Sequence, residues 1–261
     1  MPHFPAMPDH VKGTAVITGA AKRIGHAIAS GLAADGWAIA AHYHRSGEDA
    51  EALVAAITGA GGRAAAFQAD LCNEDQTRAL IGAASEALGP VTCLVNNASL
   101  FEEDGPDTVG RGIWDRHMAV NLRAPFVLGQ ELVAGLGAGE AANIINLIDQ
   151  RVANLTPFFT SYTLSKSALW TLTRTQAMAL APSVRVNAIS PGPTLRAERQ
   201  SEEQFERQYL ATPLARAVGS EEISGAVRFI LASPSMTGQM ITLDSGQHLG
   251  WSAPGQPEPG F

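Results

Sequence analysis

The stretch "TAVITGAAKRIG" covers residues 14 to 25. Its first five residues, "TAVIT", are apolar or β-branched, the composition of a buried strand. Gly19 then breaks the run, and from about Ile24 to Ala34 the apolar residues recur at helical spacing. A strand, a glycine turn and a helix in that order open a βαβ unit. Gly19 permits the sharp turn, and Gly25 lets the helix start lie close to the sheet. The helix start would offer unpaired N–H groups to a pyrophosphate. Lys22, Arg23 and Ile24 line the same turn. Arg23 stands where such a loop usually has its middle glycine; it can still face phosphate, or reach over it toward a second ligand.

The rest of the chain repeats the alternation. Strands are predicted at "WAIAAHYH" (37–44), "RAAAFQAD" (63–70), "VTCLVNN" (91–97), "ANIINLI" (142–148), "VRVNAIS" (184–190) and "QMITLD" (239–244). Helices are predicted from about Glu48 to Thr58, Glu74 to Leu88, Ile113 to Leu136, Tyr162 to Leu180 and 220 to 232, with a looser one at 198–210. The pattern implies an α/β fold: a doubly wound, parallel, seven-stranded sheet in a single domain, 11–250. Residues 1–10 and the Pro/Gly-rich 251–261 are expected to be flexible, and 195–212 to form a substrate lid.

The 261 residues are 46% hydrophobic and 16% charged, enough for a full core. A net charge of −7 argues against nucleic acid as the main partner. No run reaches the length of a membrane span, and the first residues lack the apolar core of a signal peptide. Cys72 and Cys93 have no metal-like spacing. They read as reduced thiols of a cytoplasmic protein, with no metal site expected.

Ligands of such sheets bind at the carboxyl ends of the strands. That rule brings Gly19, His44, Asp70, Asn97, Asp149 and Pro191 to one crevice. After the second strand an acid would select NAD through the ribose hydroxyl. The sequence there is "HYHRS" (42–46). Arg45, with His44 and Ser46, suits a 2′-phosphate, which predicts NADP(H). Asp70 and Leu71 either flank the adenine, or Asp70 caps the next helix.

Tyr162 and Lys166 are i,i+4 and share a helix face. An adjacent ammonium is expected to lower the phenol pKa and let the phenol trade a proton near neutral pH. Asn121, polar within an apolar helix, either holds a water that relays protons to Lys166 or bonds a backbone carbonyl. Asp149 ends the fifth strand, thirteen residues before Tyr162. It is either a solvated strand cap or part of the site.

Taken together, "TGAAKRIG", "NNAS" (96–99), Asn121, "YTLSK" (162–166) and "PGPT" (191–194) resemble the short-chain dehydrogenase/reductase family over about residues 11–250. Most members have a serine where this chain has Asp149. That change, Arg23, "HYHRS" and "NNASLF" (96–101) resemble the pteridine reductases. The segment 236–251 is similar to bacterial dihydromonapterin reductases, also described as alternative dihydrofolate reductases. The resemblance implies an NADPH-dependent enzyme that reduces a dihydropteridine of the dihydromonapterin, dihydrobiopterin or dihydrofolate type, with a hydride to C6 and a proton to N5. Asp149, Tyr162, Lys166 and Asn121 would be catalytic. Gly19, Lys22, Arg23, Ile24, Gly25, Asn97, Ala98, Ser99, Pro191, Gly192 and Thr194 would line the cofactor with Tyr162 and Lys166. Phe101 would stack on the pterin, unless it is a core or lid aromatic, and Arg23, Ser99, Asp149 and Tyr162 would also meet the substrate. Burial is expected to keep the Asp149 carboxyl partly protonated. A homotetramer is implied by the family. The alternatives are a general NADPH ketoreductase, such as one acting on 3-oxoacyl thioesters, and an NADPH-binding regulator without turnover.

Overall fold

The structure, a computed structural model, describes residues 12–196 and 200–250. The expected flexible ends, 1–10 and 251–261, and residues 197–199 of the expected lid lie outside the described residues. Seven strands form one parallel sheet: β1 (Thr14–Ile17), β2 (Ala38–Tyr43), β3 (Ala64–Gln68), β4 (Val91–Asn96), β5 (Ala142–Leu147), β6 (Val184–Pro191) and β7 (Met240–Leu243). Their spatial order is β3-β2-β1-β4-β5-β6-β7. The order reverses between β1 and β4, so the carboxyl ends of these two strands flank a ligand crevice.

Helices cover both faces because the central strands are apolar on both sides. On one face α1 (Arg23–Ala34), α2 (Gly47–Gly59) and α8 (Ser220–Leu231) bury Ile28, Leu32, Leu53, Ile223 and Val227 against Ile17, Ile39 and Val95. On the other, α3 (Glu74–Leu88), α5 (Ala124–Gly135) and α6 (Thr160–Ala179) bury Leu80, Leu128, Leu132 and Ala177 against Val16, Leu94 and Ile144. Each fully buried leucine contributes about 1.5–3 kcal/mol of transfer free energy.

Two departures from the predicted elements bear on the site. The single helix expected over 113–136 is α4 (Arg111–Met118), a π-helical turn (Ala119–Arg123) and α5. Pro125, in the first turn of α5, lacks the N–H that would close an α-helical bond to the Asn121 carbonyl. The wider turn sits there, at the position that carries the Asn121 side chain. The second departure follows β5, where Gln150–Val152 form a 3₁₀ turn. The looser helix expected at 198–210 is the well-capped α7 (Glu202–Leu210), started by a Ser201–Gln204 capping box.

Candidate active site

The phosphate loop is built mainly from backbone geometry. Gly19 has φ +65°, the left-handed region that suits glycine. A Cβ on Gly25 would lie 2.2 Å from the Gly19 carbonyl oxygen, so only glycine lets α1 start here. Arg23 itself adopts φ +57°. That left-handed conformation costs a residue other than glycine about 1–2 kcal/mol. Its guanidinium spans the cavity mouth and donates to the carbonyls of Leu195 (2.9 Å) and Arg196 (2.7 Å). Lys22 pairs with Asp49 at 2.9 Å on the surface.

Side chains tie this loop to its neighbours. Thr18 Oγ1 accepts from the N–H groups of Asn97 and Ala98, both at 2.9 Å. The Asn97 amide donates to the carbonyls of Thr18 (2.8 Å) and Gly19 (3.2 Å). His42, buried in β2, accepts from the Gly19 N–H through Nδ1 (3.1 Å) and donates from Nε2 to the Ala69 carbonyl (3.1 Å). The bond that Nδ1 accepts requires the neutral ring, and burial brings its pKa down to about 4. Lys22, the N-cap residue of α1, makes no side-chain capping bond. The start of α1 lines the cavity through Arg23, Ile24 and Gly25, and a helix start of this kind suits an anion. The glycine cradle, the helix start and the tied strand ends fit a dinucleotide pyrophosphate.

The expected adenosine end lies apart from the main cavity. His44 and Arg45 are exposed, and His44 Nε2 is 3.9 Å from Asp70 Oδ2. Ser46 begins α2 without a side-chain cap. Asp70 does not cap α3. Asn73 does so by accepting from the Gln76 N–H, whereas Asp70 Oδ1 accepts from the Cys72 N–H in a short local turn. Leu71 is buried.

A cavity of about 460 Å³ brings most of the other expected residues together. The phosphate-loop residues Gly19, Lys22, Arg23, Ile24 and Gly25 form one side. Asn97, Ala98, Ser99 and Phe101 follow β4; Pro191 ends β6, and Gly192 and Thr194 follow it. Asp149, Tyr162 and Lys166 form the wall below, and Phe205 and Gln208 of α7 border the opening.

On this wall Tyr162 Oη donates to Asp149 Oδ2 at 2.9 Å. Asp149 Oδ1 accepts from the Arg151 N–H at 2.8 Å. Asp149 therefore does cap a turn, the 3₁₀ turn, while its other oxygen meets the phenol. The expected effect of Lys166 on Tyr162 is corrected here. Burial, then the Asp149 carboxylate, push the phenol well above its usual pKa. The Lys166 Nζ lies 5.8 Å from the tyrosine ring centroid and donates to the Leu147 carbonyl at 2.8 Å. Its own pKa falls to about 8 through burial, with Asp149 partly offsetting the fall. Asn121 takes the carbonyl reading and more. It accepts from the Leu100 N–H (2.8 Å), donates to the Leu100 carbonyl (3.0 Å) and donates to Ser165 Oγ (3.0 Å). It fixes the segment that carries Ser99 and Phe101.

Two features of this wall escaped the sequence reading. Arg151 is buried, 3.5 Å from Asp149 Oδ1 and beside the rings of Phe101 and Phe159. Behind Tyr162 lies a buried trio. His117 Nδ1 donates to Ser161 Oγ at 2.6 Å, and Ser161 donates to Asp104. His117 Nε2 accepts from the Glu102 N–H at 3.2 Å, which fixes this tautomer. The trio ties the Phe101 loop to the start of α6.

Residues 13–207 match the short chain dehydrogenase family model. A curated relative, an uncharacterised oxidoreductase of Methylorubrum extorquens, is 35% identical over 89% of this chain and 96% of its own. A 3-oxoacyl-[acyl-carrier-protein] reductase of Synechocystis sp. is 31% identical over 89% of this chain and 95% of its own. Among solved structures, the FolM alternative dihydrofolate reductase 1 of Brucella suis, in complex with NADP, is 49% identical with a TM-score of 0.90. That match covers 93% of this chain and 97% of the Brucella chain. The parallel sheet, the glycine cradle and the Tyr162–Lys166 helix agree with these matches, and the chain belongs to the short-chain dehydrogenase/reductase family.

Proposed function

We propose that this protein is an NADPH-dependent reductase that converts a dihydropteridine, of the dihydromonapterin, dihydrobiopterin or dihydrofolate type, to the tetrahydro form. The observation that carries this reading is the hydrogen bond from Tyr162 to Asp149 at the cavity wall, 2.9 Å long. A serine there would offer one hydroxyl to a carbonyl oxygen. A carboxylate instead accepts N–H groups, which a pterin ring edge presents and a simple ketone lacks. The likeness to the Brucella dihydrofolate reductases supports the same substrate class and cofactor.

NADPH supplies a hydride when bound. Gly19, Gly25 and the start of α1 would hold its pyrophosphate, with Lys22 and Ile24 alongside; Arg45, with His44 and Ser46, would take the 2′-phosphate; Asp70 and Leu71 would border the adenine. Asn97, Ala98, Pro191, Gly192 and Thr194 would line the nicotinamide half, with Lys166 near its ribose. Phe101 would lie against the flat pterin, where stacking adds about 0.5–1.5 kcal/mol. Ser99 and Arg23 would border the pterin edge, and the segment 195–212 would cover it. Reduction at C6 also requires a proton at N5. The raised pKa of Tyr162 keeps its phenol loaded with a proton at neutral pH. As that proton leaves, the nearby guanidinium of Arg151 favours the developing phenolate. Tyr162 and Asp149 share one hydrogen bond, so they deliver the proton as a pair. Asn121 keeps the Phe101 segment in place.

Among the described residues, no helix is long and apolar enough to cross a membrane. A cytoplasmic homotetramer belongs to the same reading, supported by exposed Val133 on α5 and Leu164 and Met178 on α6. The test is NADPH oxidation with dihydromonapterin, dihydrobiopterin, dihydrofolate and a β-ketoester side by side. Turnover of at least one dihydropteridine well above the ketoester is expected. Turnover confined to the ketoester would replace this reading with a ketoreductase, and NADPH binding without any turnover would replace it with a cofactor-binding regulator.

A further inference from the structure

Arg151 is 4% exposed, and it lines the cavity two residues after Asp149. A buried guanidinium is costly unless its surroundings compensate. An apolar side chain of similar volume would fill the space without that cost. Groups that form the cavity wall contribute to that compensation here. Arg151 Nη1 is 3.5 Å from Asp149 Oδ1, the oxygen that also accepts the Arg151 backbone N–H. Its Cζ lies 5.3 Å from the Phe101 ring centroid and 5.0 Å from that of Phe159. The two rings stack on each other at 4.4 Å with an interplanar angle of 12°. Phe101 also meets the Tyr162 ring edge-on at 4.7 Å.

We propose that Arg151 is a positioning residue of the substrate cavity: one buried guanidinium holds the Asp149 carboxylate and the Phe101–Phe159 ring pair in fixed relation to Tyr162. A planar cation suits this task. Its face attracts the rings while its edge turns to a carboxylate. A lysine carries the charge but has no planar group to lie against two rings. The same charge opposes the effect of Asp149 on the Tyr162 phenol. Arg151 thus couples the surface that would take the flat ring to the pair that would supply the proton, so this inference rests on the pteridine reading.

The test uses the full chain with Arg151→Met and Arg151→Lys. Arg151→Met should raise the KM for the dihydropteridine about tenfold and lower kcat, while the Kd for NADPH stays within about twofold. Its falling limb in kcat/KM should move to higher pH, because a cation near the phenol is gone. Arg151→Lys should keep the parent limb and still show the raised KM. That split between charge and shape is not expected of a residue that only supports the fold. Crystal structures of both variants provide a readout without substrate: Arg151→Met should show the Phe101–Phe159 pair or the Tyr162–Asp149 bond displaced. Parent values of KM and pH limb in Arg151→Met would overturn the proposal, as would an undisturbed wall in its crystal structure. If Arg151→Met does not fold, Arg151→Lys decides: a parent KM overturns the proposal. If the parent protein reduces no dihydropteridine, the pteridine reading falls, and the crystal structures alone decide whether Arg151 positions the wall.

Discussion

The two sides of the crevice are stabilised in different ways. The phosphate loop after β1 depends on backbone shape: a glycine at φ +65°, a second glycine with no room for a Cβ, and one neutral histidine bridging three strand ends. The wall formed by β5 and α6 depends on charge, with half-buried Asp149 and buried Arg151 and Lys166 around one phenol. The first side therefore has little room for added volume and needs its one histidine neutral. The second should tolerate small changes of shape but respond sharply to charge and pH. Binding a cofactor of fixed charge asks only for a preorganised surface, whereas moving a proton needs groups whose protonation can change.

The largest effect should come from the charged wall. Tyr162→Phe removes only a hydroxyl, so the fold should persist with an unchanged Kd for NADPH. Dihydropteridine turnover should fall by roughly 10²–10⁴-fold, the usual contribution of general-acid catalysis. Turnover within a few-fold of the parent would assign the proton to another group. In the cofactor-free protein, absorbance titration of the parent and of Tyr162→Phe should coincide through the ordinary phenol range, because burial and Asp149 hold Tyr162 above it.

The next effect tests the claim that the loop side needs a neutral histidine. His42 has a folded pKa of about 4 against an unfolded value near 6.5. A depressed pKa means that the unfolded chain binds the proton first. The contribution is complete above pH 6.5 and is lost as pH falls from there toward 4. The expected loss is on the order of 3 kcal/mol. Urea unfolding at several pH values should show this slope in the parent and a shallower one in His42→Gln. Equal slopes would remove His42 from the clamp on Gly19.

A smaller effect concerns the exposed end of the loop side. Arg45 is exposed at the end of β2, where a 2′-phosphate would sit. Arg45→Asp should cut the preference for NADPH over NADH by about tenfold or more, about 1.4 kcal/mol. An unchanged ratio of kcat/KM values would place the 2′-phosphate elsewhere.

The same contrast explains what could be read from the chain. The loop side was legible because its determinants are local: Gly19 and Gly25 lie in one turn, and the spacing alone specifies a strand, a turn and a helix. Tyr162 and Lys166 were legible as a helical pair. His42 was not, because in a strand it looks like any alternating residue, and its partners Gly19 and Ala69 come from other strand ends. Arg151 reads as a surface arginine in a turn until the fold brings Phe101 against it. The direction of the Tyr162 shift is not legible in the sequence, because spacing shows the nearby lysine but not the burial, which dominates. The break near Asn121 had a visible signal, Pro125, that the apolar periodicity of the long helix outweighed.

The role of the Asp149–Tyr162 pair is tested most directly by comparing substrates in Asp149→Ser. This variant restores the residue commoner in the family and leaves the phosphate loop untouched. The measurement is kcat/KM for a dihydropteridine and for a β-ketoester, in the parent and the variant, with the Kd for NADPH as a control. If the carboxylate selects the pteridine, the variant should lose most dihydropteridine reduction, hold NADPH normally and move its preference toward the ketoester. Dihydropteridine turnover within about twofold of the parent, the range of an ordinary surface substitution, would contradict a role for Asp149 in choosing or protonating the substrate.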